Sequence, residues 1–122
     1  MDNNSRHNVA VICFYLSKYL DGPSDDIYEK FYSYKKIGFE RRSTAVNYLS
    51  KKFMVKQSYI KNVEDEFDSV NSNHRKGWYQ RPLRKQLQKI YDQYNSLNEE
   101  KMFEIVTDFI SNKSDYVIYK PL

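Results

Sequence analysis

The chain has 122 residues, a formal net charge of +4, one cysteine and a 16% aromatic content that includes twelve tyrosines and seven phenylalanines. That length suits one domain with one modest core, and the large aromatic side chains supply burial where leucine is scarce, which argues against intrinsic disorder. The lone Cys13 excludes an intramolecular disulfide, the polar start MDNNSRHN has no apolar signal-type region, and no apolar run approaches the ~20 residues of a membrane span. A cytoplasmic protein with no membrane partner is the expectation, and the mild positive balance permits nucleic-acid binding without establishing it.

Residues 8–20 read as an amphipathic helix, with Val9, Ile12, Cys13, Leu16 and Leu20 at helical spacing, Tyr19 on the border and Asn8 placed to cap it. Gly22 and Pro23 end that helix. Ser24, Asp25 and Asp26 suit the start of a short second helix through Ile27, Phe31 and Tyr34, closed by Gly38, because acids favour a helix N-terminus. Ser43 or Thr44 caps a third helix that buries Ala45, Val46, Leu49 and Phe53. After Met54, Val55 and Lys56 a fourth, residues 57–70, buries Ile60, Val63 and Phe67.

The stretch NHRKGWYQRPLRK, residues 73–85, follows, and no acid occurs between Asp68 and Asp92. A fifth helix, residues 83–94, carries Leu83, Leu87, Ile90 and Tyr94 on one side. Ser96 or Asn98 caps a sixth with Phe103, Val106 and Ile110. Residues 112–122 end in DYVIYKPL, a short extended tail or linker start. The fold class expected is all-α: one small domain over residues 1–122, built from five to six helices, containing a helix-turn-helix-like unit.

Catalytic signals are absent from the pattern. His7 lies in a terminal segment expected to be mobile, far from His74, and Cys13 falls on an apolar stripe, where a buried structural thiol is the better reading. No CxxC, HExxH, P-loop or GxGxxG occurs. Glu64, Asp65, Glu66 and Asp68 read as a solvated or salt-bridged face rather than a metal site, since Glu64 and Asp68 share a face that Asp65 and Glu66 do not. A non-enzymatic protein with no metal and no cofactor is expected.

The pair of helices around residues 54–56 has the organisation of a helix-turn-helix, in which the first residues of the second helix meet base edges. Here those are Gln57, Ser58 and Tyr59, then Lys61 and Asn62, with Lys56 just before. Gln and Asn pair bidentately with adenine, and Ser and Lys contact phosphate or base. Lys51 and Lys52 end the preceding helix within reach of a backbone. The acids at the far end of the second helix would point away from a duplex. Two helices joined by a short turn also occur in any helical bundle, so a DNA-contacting pair and a plain bundle pair both stand at this point.

The basic stretch divides similarly. Arg75, Lys76, Arg81, Arg84 and Lys85 suit phosphates, Trp78 and Tyr79 offer stacking or wedge surfaces, and Gln80 counts among the DNA contacts with them. Equally, Trp78 can anchor the loop in the core while Arg75 or Lys76 neutralises the acids of residues 64–68. A division of labour reconciles the two, with Arg81, Arg84 and Lys85 left for phosphates.

Three segments, AVICFYLSKY near the start, VKQSYIKNVEDEFDS (55–69) and RKGWYQRPLRK (75–85), together resemble the N-terminal helical module of bacterial restriction-endonuclease-like and other defence-associated proteins. Gln57 stands where that pattern more often has a turn proline, and Val63-Glu64 where it has Met-Arg, which removes a cation from the second helix. The resemblance implies a DNA-recognition or docking module fused to an effector such as a nuclease, and this chain has no room for a nuclease domain. Two functions follow from different classes. One is a double-stranded DNA-binding module of a bacterial restriction or antiviral phage-defence system. The other is a protein–protein adaptor that docks an effector subunit.

Overall fold

The computed structural model describes residues 3–23, 26, 28–71, 73 and 83–111, with side chains from residue 5 onward. Among them are six helices and no strand: α1 (Asn3–Lys18), α2 (Tyr32–Lys36), α3 (Arg42–Phe53), α4 (Gln57–Asp68), α5 (Lys85–Tyr94) and α6 (Glu99–Ser111). The all-α expectation holds for these residues. The tail, and with it the expected extended segment, lies outside them, as do Ser24, Asp25, Ile27, Trp78 and most of the basic stretch.

Helix α1 is the axis of the domain, and it is not amphipathic. Residues 9–16 read VAVICFYL without a polar break, and all of them are buried, as is Ser17 beyond them. A helix apolar around its whole circumference must be covered on every side, and α1 touches each of the other five helices. The expected stripe of Val9, Ile12, Cys13, Leu16 and Leu20 is therefore only part of its buried surface. Phe14 shows how the cover is made: its ring meets Phe67 of α4 edge-on at 5.3 Å and Tyr91 of α5 at 5.9 Å, the geometry that aromatic quadrupoles favour.

The start of α1 also differs from expectation. It begins at Asn3, so Asn8 is not its cap and His7 lies within a helix. Tertiary contacts help to hold the early turns: the His7 ring lies 6.3 Å from that of Tyr94, and the Arg6 guanidinium lies 5.5 Å from the centre of the Tyr59 ring.

The second helix is shorter than expected. The chain after Asp21 folds back on the end of α1, where Glu29 N–H donates to the Asp21 carbonyl and Tyr32 N–H to that of Leu20, both at 2.8 Å. Those bonds pin the turn just past α1, Ser33 Oγ donates to the Leu16 carbonyl that the last turn of α1 leaves open, and α2 starts only at Tyr32. It closes as expected at Gly38, whose φ of 102° lets Gly38 N–H reach Lys35 O and Phe39 N–H reach Tyr34 O, the paired bonds of a Schellman ending.

Helix α3 begins at Arg42 after Arg41, with no side-chain cap from Ser43 or Thr44, but it buries the expected Ala45, Val46, Leu49 and Phe53. Helix α5 begins at Lys85 rather than residue 83, and buries Leu87, Ile90 and Tyr94. The Asn98 cap is in place, with its Oδ1 accepting from Lys101 N–H at 2.8 Å. Helix α6 turns slightly from the expected face, burying Met102, Val106 and Phe109 while Phe103 and Ile110 are half-buried.

Cys13 sits on this axis, fully enclosed, with its Sγ 3.9 Å from the Ile60 carbonyl. A thiol reagent therefore has no route to it without unfolding. The labelling rate of native protein should track the global unfolding equilibrium measured in denaturant, and fast, denaturant-independent labelling would contradict this burial.

Candidate nucleic-acid interface

Helices α3 and α4 are joined by Met54, Val55 and Lys56. The turn has two fixed points. Met54 adopts the left-handed conformation (φ 56°) with its side chain 75% exposed, while Val55 is buried in the core. Val55 N–H donates to Ser50 O at 3.1 Å and Ser50 Oγ donates to Val55 O at 2.5 Å. These bonds end α3 and direct the chain into α4, which starts at Gln57 without a side-chain cap.

Helix α4 divides sharply by face. Ile60, Val63 and Phe67 point into the core as the periodicity predicts. Lys56, Gln57, Ser58, Lys61 and Asn62 are exposed. Tyr59 is not with them: it is half-buried beneath Arg6, and burial pushes its phenol above its ordinary value. Gln57 reaches across the turn, donating from Nε2 to Asn47 Oδ1 at 3.3 Å, so two amides bridge the exposed sides of α3 and α4.

The acids of α4 take the salt-bridged of the two expected forms, with cations from α3 and from the residue before α5, and two of them lie deeper than any surface face. Glu64 is fully buried and Asp68 nearly so. Glu64 accepts from Tyr34 Oη at 2.7 Å and from Arg42 Nε at 2.6 Å. Arg42 Nη2 also reaches Asp65 Oδ1 at 3.1 Å and the Lys61 carbonyl at 3.2 Å. Arg84 Nη2 meets Glu66 Oε2 at 2.8 Å. Asp68 Oδ1 accepts from Ser17 Oγ at 2.7 Å and from Asn73 Nδ2 at 3.0 Å, and Asn73 also donates to the Ser17 carbonyl at 2.8 Å. The sequence could not distinguish this arrangement from a wet face because Glu64 and Asp68 flank the apolar stripe at i, i+4, where either environment fits the spacing.

Two consequences follow for the predicted contacts. Arg84, expected to be left for phosphates, is engaged with Glu66, and its side chain keeps 48% exposure. Lys85 is exposed at the first position of α5. Arg75, Lys76, Tyr79, Gln80 and Arg81 lie outside the described residues, as does any pairing of Arg75 or Lys76 with the acids.

A signal in the sequence marks this surface more clearly than the motif does. Between Glu40 and Glu64 there is no acid, while Arg41, Arg42, Lys51, Lys52, Lys56 and Lys61 all fall there. Every one of these cations is exposed or half-exposed, and the acids just beyond are buried or paired. Arg42 is neutralised by Glu64 and Asp65, so the positive field of the α3–α4 surface comes from Arg41, Lys51, Lys52, Lys56 and Lys61. Among the described residues no group of three or more His, Cys, Asp or Glu side chains could hold a metal, and no helix is long and apolar enough to cross a membrane.

Comparison with protein-family models, curated proteins and solved structures gives no match for this chain. The likeness to restriction-associated modules therefore rests on its sequence motifs alone.

The Glu64 cluster ties α2, α3 and α4 together, so its loss should loosen the candidate surface. Glu64→Ala removes the buried acceptor of the Tyr34 hydroxyl, while the part-exposed Arg42 keeps Asp65 and the Lys61 carbonyl. The unfolding free energy should fall by about 2 kcal/mol in a denaturant titration. A loss below about 1 kcal/mol would show that Tyr34 finds water instead.

Proposed function

We propose that this chain is a non-enzymatic double-stranded DNA-binding module that engages the duplex through α3 and the start of α4. The observation that carries the reading is the pairing of two features on one surface. The segment from Arg41 to Val63 holds five cations besides the paired Arg42 and no acid, and Lys56 just before α4 and Gln57, Ser58, Lys61 and Asn62 on it stand exposed. Lysines supply counterion-releasing phosphate contacts, and the two amides are the side chains that match adenine edges. An uncapped helix start with no acid in its first turn adds the partial positive charge of its N–H groups. The resemblance noted above adds the biological setting, recognition within a bacterial restriction or phage-defence system that an effector nuclease domain or subunit would complete.

A docking adaptor is the second reading. It is favoured by α6, where Phe103, Ile105 and Ile110 remain only half-buried against the core, and aromatic and aliphatic surface of that kind suits a protein partner. Salt separates the two readings, because phosphate contacts weaken steeply with ionic strength and apolar docking does not.

Duplex titrations at two salt concentrations test the proposal. Lys56→Ala and Lys61→Ala should weaken binding to all sequences alike, and each should reduce the salt slope by about one unit. Gln57→Ala and Asn62→Ala should relax sequence preference, costing roughly 1–3 kcal/mol on the best site and little on random DNA. If none of the four changes duplex affinity at low salt, the α3–α4 surface does not bind DNA.

A further inference from the structure

Helix α3 carries a second exposed feature, an aromatic one that the duplex reading does not use, beside two of the lysines that it does. Thr44, Asn47, Tyr48 and Lys51 lie at i, i+3, i+4 and i+7, all exposed, opposite the buried Ala45, Val46, Leu49 and Phe53. With Phe39 and Lys52 they line an open groove beside the chain that leads from α2 into α3. Its floor is aromatic. Tyr48 and Phe39 are 5.4 Å apart between ring centres and tilted by 48°, and Tyr48 keeps 41% of its surface exposed. Gly38 at the groove's edge has empty space where a Cβ would project. One end carries the two lysines, and the amide and hydroxyl of Asn47 and Thr44 border the rings.

We propose that this groove binds an unpaired nucleotide of a single-stranded nucleic acid, with its base stacked on Tyr48 and the adjoining phosphates on Lys51 and Lys52. Aromatic floor and cationic end are the two halves of single-strand recognition, since every base offers a π-face and every linkage a negative charge. Charge complementarity selects the class of ligand: two lysines and no acid line the groove, and Glu40, next to Phe39, is the acid that follows it in the chain. An acidic peptide would satisfy the lysines but would leave the ring pair without a stacking partner. The Asn47–Gln57 bridge places the groove next to the start of α4, so a strand leaving a duplex there would meet the rings first. The inference shares Lys51 and Lys52 with the duplex reading but rests on the Tyr48–Phe39 ring pair, which that reading leaves out.

Three probes test it: an oligothymidine of roughly ten nucleotides, within the span of one single-strand site, an abasic strand of the same length, and a polyglutamate peptide. The abasic strand keeps the phosphates and loses the bases. Wild-type protein should bind oligothymidine at least about fivefold more tightly than the abasic strand, as one stacked base provides. Tyr48→Leu keeps an apolar contact for Phe39 but removes the π-face, and should bind the two strands equally. Tyr48→Phe should restore the difference, and thermal melting of both variants checks that they fold. Blunt-duplex affinity should be the same in all three proteins. Equal binding of both strands by wild type, or polyglutamate binding that matches oligothymidine and depends on Tyr48, would overturn the proposal. Duplex binding without a base-dependent single-strand component would remove the groove and leave the duplex reading intact. The reverse result would remove the duplex reading and leave the groove.

Discussion

The structure is organised by one demand: a helix with no polar face must be surrounded. Eight consecutive apolar residues, Val9 to Leu16, leave α1 no side to give to water. At about 25 cal/mol per Å² of apolar surface, covering such a helix is the largest favourable contribution a domain of this size can draw on. The remaining helices are short, and each is half polar. Their shared task is to bring one apolar face each against α1, which is why the exposed side of α3 and α4 is at liberty to be strongly basic.

A core built this way still has polar groups to accommodate. Ser17 lies at the carboxyl end of the axis and is fully buried, and Asp68, Asn71 and Asn73 gather on its hydroxyl and carbonyl. Glu64, one turn earlier on α4, holds Tyr34 and Arg42. Among the described residues no buried side-chain nitrogen or oxygen lacks a partner. Satisfied networks of this kind add less to stability than apolar packing of equal volume, but they accept only one arrangement of donors and acceptors. Arg42 in particular reaches two carboxylates and the Lys61 carbonyl at once, so it fixes α3 against α4 both in distance and in rotation. The basic surface owes its shape to that lock and its field to the neutralised acids beneath it.

Helix identity was legible in the residues because period and breakers agreed. Ala45, Val46, Leu49 and Phe53 in α3, Ile60, Val63 and Phe67 in α4, and Leu87, Ile90 and Tyr94 in α5 are buried where their spacing places them. What failed was everything that depends on a partner helix. Stripe logic assumes one wet side, so it misjudged α1. Cap logic assumes that helix ends face water, so it set the start of α1 at Asn8 and missed turns held by His7 and Arg6. Charge logic assumes that carboxylates stay outside, so it misplaced Glu64 and Asp68. The candidate contacts Gln57, Ser58, Lys61 and Asn62 were legible as exposed positions, whereas Tyr59 was not, because its inward lean depends on α1. The groove on α3 was missed because its residues are unremarkable singly and acquire meaning only beside Phe39, from another element.

The turn between α3 and α4 bears on how this helix pair can exist at all. A left-handed conformation at a residue with a Cβ, such as Met54, costs roughly 1 kcal/mol relative to glycine, and with its side chain projecting into solvent the local compensation is confined to the two Ser50–Val55 bonds. The bend is further held by Val55, sunk in a core that other helices build, and by the Arg42–Glu64 bridge within the pair. A peptide cut out of the protein to contain only these two helices would lose the first of these supports and would relax toward a different bend. The pair is therefore not a portable cassette: transplanted onto another scaffold, it would carry its side chains but not its angle, and any specificity that depends on that angle would stay behind with α1.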